Sequence, residues 1–396
     1  MNIGATFTPN EASSYYTADA CDLSAFRQCV ERQTNEADAP AAEAITHNIP
    51  IYGQAATEQG LSAIETKRAL MAEWAHVLLH GPGVLVLKQS GADHQTIDAA
   101  SQIFETIIEE ESAAGSGADH FAAAGANARI WNALQKLCVR APELFARYHA
   151  TPAIDAVCEA WLGPGYQMTA QVNLVRPGGK AQQAHRDYHL GFQTAEVSAQ
   201  FPAHAHLLSP VLTLQGGIAH VDVPVDAGPT KLLPFSQTYA PGYAAWRKAE
   251  FSAYFEAHHV QLPLQKGDAL FFNPALFHAG GENKTNDIQR LVNLVQVSSP
   301  FGRAMESMDR IAMAKALYPA LLKASAKGDM TLPEQGAAIA ACAEGYAFPT
   351  NLDTDPPAGG LAPLTHADIM RNCLRDGVDP VGFSTALDEA EFKRRA

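Results

Sequence analysis

The chain has 396 residues, with 28 Lys+Arg against 42 Asp+Glu and a formal net charge of −14. Apolar residues make up 47% and charged residues 18%, which supplies a large core and excludes disorder for the bulk of the chain. The acidic balance excludes a nucleic-acid binder, which needs surplus cations to displace counterions from phosphate, and it disfavours an anionic membrane surface. A small-molecule partner is expected.

In chain order, residues 1–60 mix Asn, Thr, Ala and acidic residues with weak periodicity and read as a loosely packed N-terminal arm. Met1–Asn10 has neither a basic nor an apolar stretch of the kind a signal peptide needs, and no apolar run reaches the ~18 residues of a membrane span. The six cysteines (Cys21, Cys29, Cys138, Cys158, Cys342, Cys373) are scattered, without a C-x-x-C, as in a reduced compartment. A cytoplasmic protein is the expectation.

Apolar spacing predicts a helix from Ser62, as N-cap, to Leu79. Gly81-Pro-Gly83 ends it, and Val84–Leu87 follows as a buried strand. Further helices are predicted over 94–111, 130–139 and 142–161, with a flexible break at 113–118. Between Tyr166 and Pro300 the character changes to short β-rich runs at 167–175, 211–221, 228–233, 260–264, 269–272 and 290–298, separated by Gly and Pro turns. Helix returns at Met305–Tyr318, ended by Pro319, and at a capping-box start, Thr365–Asp368. The pattern is an α+β protein: a β core over 61–300 with its helical support, wrapped by helices from an N-terminal arm (1–60) and a C-terminal extension (301–396).

The strongest chemical constellation is His185-Arg186-Asp187 with the distant His278 and Arg290. On a strand the side-chain period is two, so His185 and Asp187 share a face. Two imidazoles and one carboxylate make a facial ligand set suited to Fe(II), which leaves adjacent positions open for cosubstrate and dioxygen. Arg290 opens the apolar strand 290–298, and an arginine directed into a β core needs an anion, best a carboxylate. Residue types alone leave both readings open, a metal site or a surface His–Asp pair. His220-Val-Asp222, inside Gly216–Pro224, is a rival H-x-D, with a core or pocket role as the other reading of His220.

At these residues a resemblance emerges. Gln171–Gly179 leading to Ala184-His-Arg-Asp-Tyr188, the segment Gly228–Ser236, and Lys266-Gly-Asp268 through His278–Thr285 to Arg290 resemble three blocks of the phytanoyl-CoA dioxygenase-like family, over roughly Lys67 to Pro300. The resemblance implies a double-stranded β-helix (jelly-roll) core and an Fe(II)- and 2-oxoglutarate-dependent oxygenase that consumes O₂ and releases succinate and CO₂. It implies His185, Asp187 and His278 as metal ligands, with Arg290 on the distal carboxylate of 2-oxoglutarate. The spacing of His185 from His278 fits the family better than that of His220. Asp187 argues against halogenation, since halogenating relatives lack the carboxylate.

There are departures. Phe235 stands where relatives have a turn glycine, and Gly280 stands where many have a serine that assists the arginine. Thr285 or a residue on the facing strand is the candidate substitute. Gln171 and Asn173 share a strand face and are further cosubstrate candidates, against ordinary sheet pairing. Tyr188, Arg129 and Trp131 are candidate substrate contacts, against plain packing or, for Arg129, the start of a helix. His204, His206, His258 and His259 are expected in surface loops. The expected substrate is a small free metabolite such as an amino acid or a specialised-metabolism intermediate, because a CoA thioester would want a basic entrance. The reaction would be hydroxylation, or desaturation or cyclisation. The rival function is a jelly-roll protein that binds a small acid or another metal without oxidising anything. The 305–318 helix is expected to lid the pocket or to contact a second copy in a homodimer.

Overall fold

The computed structural model describes residues 14–114, 127–357 and 359–395. The first ten residues and most of the break at 113–118 lie outside them. The fold is mixed α/β, with a large sheet, a small sheet and many helices. Among the described residues ten strands are formed: β1 (Ala44–Thr46), β2 (Ile49–Tyr52), β3 (Val84–Leu87), β4 (Asn127–Ile130), β5 (Gln167–Val175), β6 (Thr213–Ala219), β7 (Lys231–Leu233), β8 (Ala269–Phe272), β9 (Phe277–Ala279) and β10 (Arg290–Ser298). The large sheet runs β1-β2-β3-β8-β6-β10-β5-β4, parallel only between β2 and β3, and β7 pairs with β9 in the small one.

The sheet's two faces follow from the period of two. In β5, Met168, Ala170, Val172 and Leu174 enter the core shared with the helices, and in β10 Leu291, Val295 and Val297 do the same. The other parity, Gln171, Asn173 and Val175 with Arg290, Val292, Leu294 and Gln296, lines a cavity on the opposite face. The two strands pair antiparallel over all nine residues, with Gln171 opposite Leu294 and Arg290 opposite Val175. The unbroken apolar runs of β3 and β8 are buried on both faces: Leu85, Leu87 and Phe271 face the helices, while Val84, Val86, Leu270 and Phe272 face the space between the sheets.

Across that space β7 and β9 make the second layer. Leu233, Phe277 and Ala279 point outward into an aromatic cluster with Phe26, Phe251 and Phe255, which the helices Leu23–Val30 and Ala249–His258 carry. His278, of opposite parity, faces the cavity.

Several elements differ from the sequence reading. Residues 44–52, expected in a loose arm, form β1 and β2, with Ile49 buried toward the space between the sheets and Tyr52 buried on the opposite face in the core shared with the helices. Ser62 does not cap the helix Ile64–Leu79; it closes a preceding helix, Gln54–Leu61, and its hydroxyl donates to Gln59 O at 2.7 Å. The segment 130–139 starts as strand β4 before the helix Ala133–Arg140, and Pro152 splits the following stretch into Pro142–Tyr148 and Pro152–Leu162. His206 is buried on the helix Ala203–Val211, and His258 ends a helix; neither lies in a loop. The helix expected over 305–318 spans Arg310–Lys327 with Pro319 inside it, and Met305, ahead of its start, lines the cavity beside the sheet. Met313, Leu317, Tyr318 and Leu321 are buried in the main core, so its apolar face is already covered within the chain. The capping box at Thr365 and Asp368 does open the helix His366–Arg375. All six cysteines are free thiols, and among the described residues no helix is long and apolar enough to cross a membrane.

Behind the large sheet, His220 is held between Ser101 Oγ (2.8 Å) and Tyr148 Oη (2.6 Å), and Asn293 Nδ2 donates to the same Tyr148 hydroxyl at 2.9 Å. Burial pushes both His220 and His149 down to about 3. An unfolded histidine titrates near ~6.5, so below that pH the unfolded chain binds protons that the folded chain refuses. Folding stability is therefore expected to fall as pH drops from about 6.5 toward 3. Urea midpoints at two pH values check this, with a smaller acid loss expected for His220→Gln than for the unaltered chain. Leu317→Ala is expected to cost about 2–5 kcal/mol in the same assay, the range for emptying a fully buried leucine site.

Candidate metal centre

His185 and His278 lie directly opposite each other on an antiparallel bridge. His185 N–H donates to His278 O at 3.0 Å, and His278 N–H returns the bond to His185 O at 3.1 Å. Opposed residues share a face, and the two rings meet with centroids 4.4 Å apart. Asp187, two residues on, lies on that same face, and its backbone N–H donates to Pro274 O at 3.0 Å. The three side chains bring their ligand atoms within 4.8 Å of one another.

The imidazole tautomers follow from their partners. His185 Nδ1 is 2.8 Å from Gln183 O, and His278 Nδ1 is 2.8 Å from Leu276 O. A carbonyl can only accept, so each Nδ1 carries the proton and each neutral ring turns the lone pair of Nε2 inward. His278 Nε2 lies 3.4 Å from Asp187 Oδ2, and His185 Nε2 lies 3.7 Å from Oδ1. Burial holds His185 below the usual histidine range. Burial alone would raise Asp187, but His185, His278 and a hydrogen bond from Gln215 together hold it well below the usual carboxylate range. Two imidazole lone pairs and an anionic carboxylate thus converge with acceptors facing acceptors. Such a set is satisfied by a cation, and its donor types suit Fe(II) as well as other divalent metals.

The centre opens into a cavity of about 510 Å³ between the two layers. Arg290 lies in its wall, 7% exposed, donating to the backbone oxygens of Gly281 (3.2 Å) and Ala227 (3.5 Å). No carboxylate among the described residues pairs with it, and burial pushes it down to about 10. A buried guanidinium bonded only to carbonyls is matched to an incoming anion. Gln171 Oε1 accepts from Arg129 Nη1 at 2.8 Å, and the buried Gln171 Nε2 on the cavity wall has no partner among the described residues. Asn173 and Trp131 also line the cavity, and the Arg129 guanidinium lies 5.5 Å from the Trp131 ring. Arg129 stands on β4 opposite Asn173, not at a helix start.

Two expected site residues are elsewhere. Tyr188 does not line the cavity itself: its φ of 62° turns the chain out of the strand, and its buried hydroxyl donates to Oε1 of Gln296, which does line it. Thr285 builds the turn before β10, its hydroxyl donating to Asn283 Oδ1 at 2.7 Å, away from the cavity. Beside Gly280, where a serine was missed, Gln182 fills the space and its Oε1 accepts from Gly280 N–H at 3.0 Å. Phe235 takes the place of the turn glycine at φ 67°, with the Arg32 guanidinium 4.7 Å from its ring.

Sequence reasoning also missed Gln215, Phe192 and Trp246. Gln215 had a signal, a lone amide in the apolar and glycine-rich strand β6; the two aromatics, outside the strands, had none. His220 takes no part in the centre.

The sequence profile described as phytanoyl-CoA dioxygenase matches residues 79–291. Dioxygenase trt7 of Aspergillus terreus is 27% identical over 154 residues, 39% of this chain, and the match spans 48% of that protein's length. Among solved structures, the non-heme α-ketoglutarate-dependent epimerase SnoN from nogalamycin biosynthesis is 17% identical, with a TM-score of 0.40 over 58% of this chain and 83% of that one. The carbocyclase SnoK from the same biosynthesis is 17% identical, with a TM-score of 0.41 over 57% and 83%. The profile covers more than half of the chain and spans the histidine–aspartate pair, the distal histidine and Arg290, and the chain belongs to the phytanoyl-CoA dioxygenase family.

Proposed function

We propose that the chain is an Fe(II)- and 2-oxoglutarate-dependent oxygenase acting on a small-molecule substrate. The observation that carries this reading is the convergence of His185, Asp187 and His278 in one cavity with a buried arginine that has no carboxylate partner among the described residues. His185 and His278 would hold the metal through Nε2 and Asp187 through its carboxylate, and Arg290 would take the far carboxylate of 2-oxoglutarate. Iron with 2-oxoglutarate and O₂ supplies the oxidising power that breaks an unactivated C–H bond, with succinate and CO₂ as co-products. The chain's own part is placement. The backbone carbonyls of Gln183 and Leu276 keep the proton on Nδ1, and apolar side chains such as Leu270 and Phe272 line part of the cavity beside the centre.

In this reading the two facing sheets form the double-stranded β-helix. Residues 61–300 are the catalytic unit, β1 and β2 extend its large sheet, and 301–396 back it with helices. Gln171 and Asn173 lie where they can hydrogen-bond 2-oxoglutarate, while Trp131, Phe192 and Trp246 give the cavity an aromatic wall for the substrate. Lys180, an exposed cation in the cavity lining, is paired with Glu282 at 2.8 Å, and the chain's net charge of −14 fits a small free metabolite better than a CoA thioester. Hydroxylation, desaturation and ring closure all use the same centre.

Anaerobic addition of Fe(II) and 2-oxoglutarate is expected to give a weak visible charge-transfer band. Asp187→Ala is expected to abolish both that band and succinate formation; undiminished succinate release would overturn the assignment. Arg290→Gln removes hydrogen bonds to a charged group worth roughly 1.5–3 kcal/mol. Its KM for 2-oxoglutarate is expected to rise by about 10- to 100-fold. Binding of 2-oxoglutarate with no band and no oxygen uptake would favour an acid-binding protein instead.

A further inference from the structure

The two oxygens of Asp187 have different surroundings. Oδ2 accepts a 2.5 Å hydrogen bond from Gln215 Nε2, and Oδ1 accepts none among the described residues. Gln215 reaches this oxygen from β6 in the large sheet, whereas Asp187 belongs to the segment bridged to the small one. The contact therefore ties the metal carboxylate of one layer to the other. At 4% exposure the amide is fixed by packing, and its orientation is set by its partner, because an ionised carboxylate can only accept and the NH₂ end has to face it.

A second amide repeats the arrangement. Gln296 is the direct cross-strand neighbour of Gln215, and it accepts the hydroxyl of Tyr188, the residue after Asp187. Tyr188 and His189 have φ of 62° and 43°, so this segment leaves the strand immediately after the ligand and cannot be held by a continued ladder. Two glutamines on adjacent strands anchor it through side chains.

On the reading of the site given above, we propose that Gln215 is a positioning residue for the metal centre. Its amide donates to Oδ2 of Asp187 and fixes the rotation of the carboxylate that would hold the metal together with His185 and His278.

The test uses the full chain without oxygen, with Fe(II) affinity and the visible spectrum of bound Co(II) as readouts; neither requires turnover. Gln215→Leu and Gln215→Met keep the side-chain bulk and remove the donor, and either serves if the other does not fold. Thr213→Val, a buried site two residues earlier in β6, controls for disturbance of the strand. Loss of an outer hydrogen-bond partner typically costs about 10- to 100-fold in metal affinity. The glutamine variants are expected to fall in that range, with a changed Co(II) spectrum, while Thr213→Val matches the unaltered protein. Unaltered affinity and spectrum in both glutamine variants would overturn the proposal. An equal loss in Thr213→Val would overturn it too, by showing a strand effect. If the unaltered chain binds neither metal, the oxygenase reading itself fails, which is a distinct result.

Discussion

His185 and His278 stand far apart in the chain, and they meet through two reciprocal backbone hydrogen bonds of 3.0 and 3.1 Å. That pairing puts both side chains on one face of one ladder rung, and the period of two then delivers Asp187 to the same face without any further device. It also explains why the two imidazoles are held alike. Each bonds through Nδ1 to the carbonyl two residues before it in an extended backbone, so the geometry that aligns the ligands fixes their tautomer as well. A slip of one residue in this pairing would turn the histidines to opposite sides and disassemble the centre.

The same arrangement is electrostatically incomplete. Converging lone pairs and a carboxylate are costly to bury together, as is Arg290 with only carbonyl oxygens beside it. The cavity thus holds one locus that calls for a cation and another that calls for an anion. A divalent metal and a dicarboxylic acid that bridges from it to the arginine would satisfy both. Neither locus alone is this selective: isolated His-x-Asp pairs are common, and a lone buried arginine can be a structural strut. Arg186 is the example within this chain. It is fully buried, donates to Ser236 O and Tyr239 O, and lies against Gly242 so closely that a Cβ there would meet its guanidinium at 1.9 Å.

Alternation is what made the centre legible. The runs 167–175 and 290–298 mark β5 and β10 to the residue because each alternates between an apolar and a more polar face, and that alternation also orients Gln171, Asn173 and Arg290. The reading lost force where tertiary contacts overrode local pattern. Tyr188 follows two ligands on a strand, yet a left-handed turn takes it out of line. Thr285 is near the distal histidine in sequence, but an Asn283-centred turn occupies its hydroxyl. The strands at 44–52 exist because β3 offers an edge to pair with, a partner that no window of local sequence contains. Gln215 was visible as an amide out of place, but its purpose depends on a carboxylate from the opposite layer.

The polar cavity face also decides where the large sheet gains its burial. A sheet that turns glutamines, an asparagine and an arginine inward gains little from that side, so its stability has to come from the other. There the even residues of β5 and the odd residues of β10 meet helices from both ends of the chain, including Arg310–Lys327 and Leu332–Cys342, which lie beyond the family match. Arg310 links them to the sheet, donating to Met168 O of β5 at 2.8 Å and to Cys342 O at 3.1 Å. Tyr318 extends the same core outward by stacking on Phe383 at 4.0 Å. These helices therefore give the sheet on one face the burial that its polar cavity face lacks, while Met305, at the start of the same extension, lines the cavity.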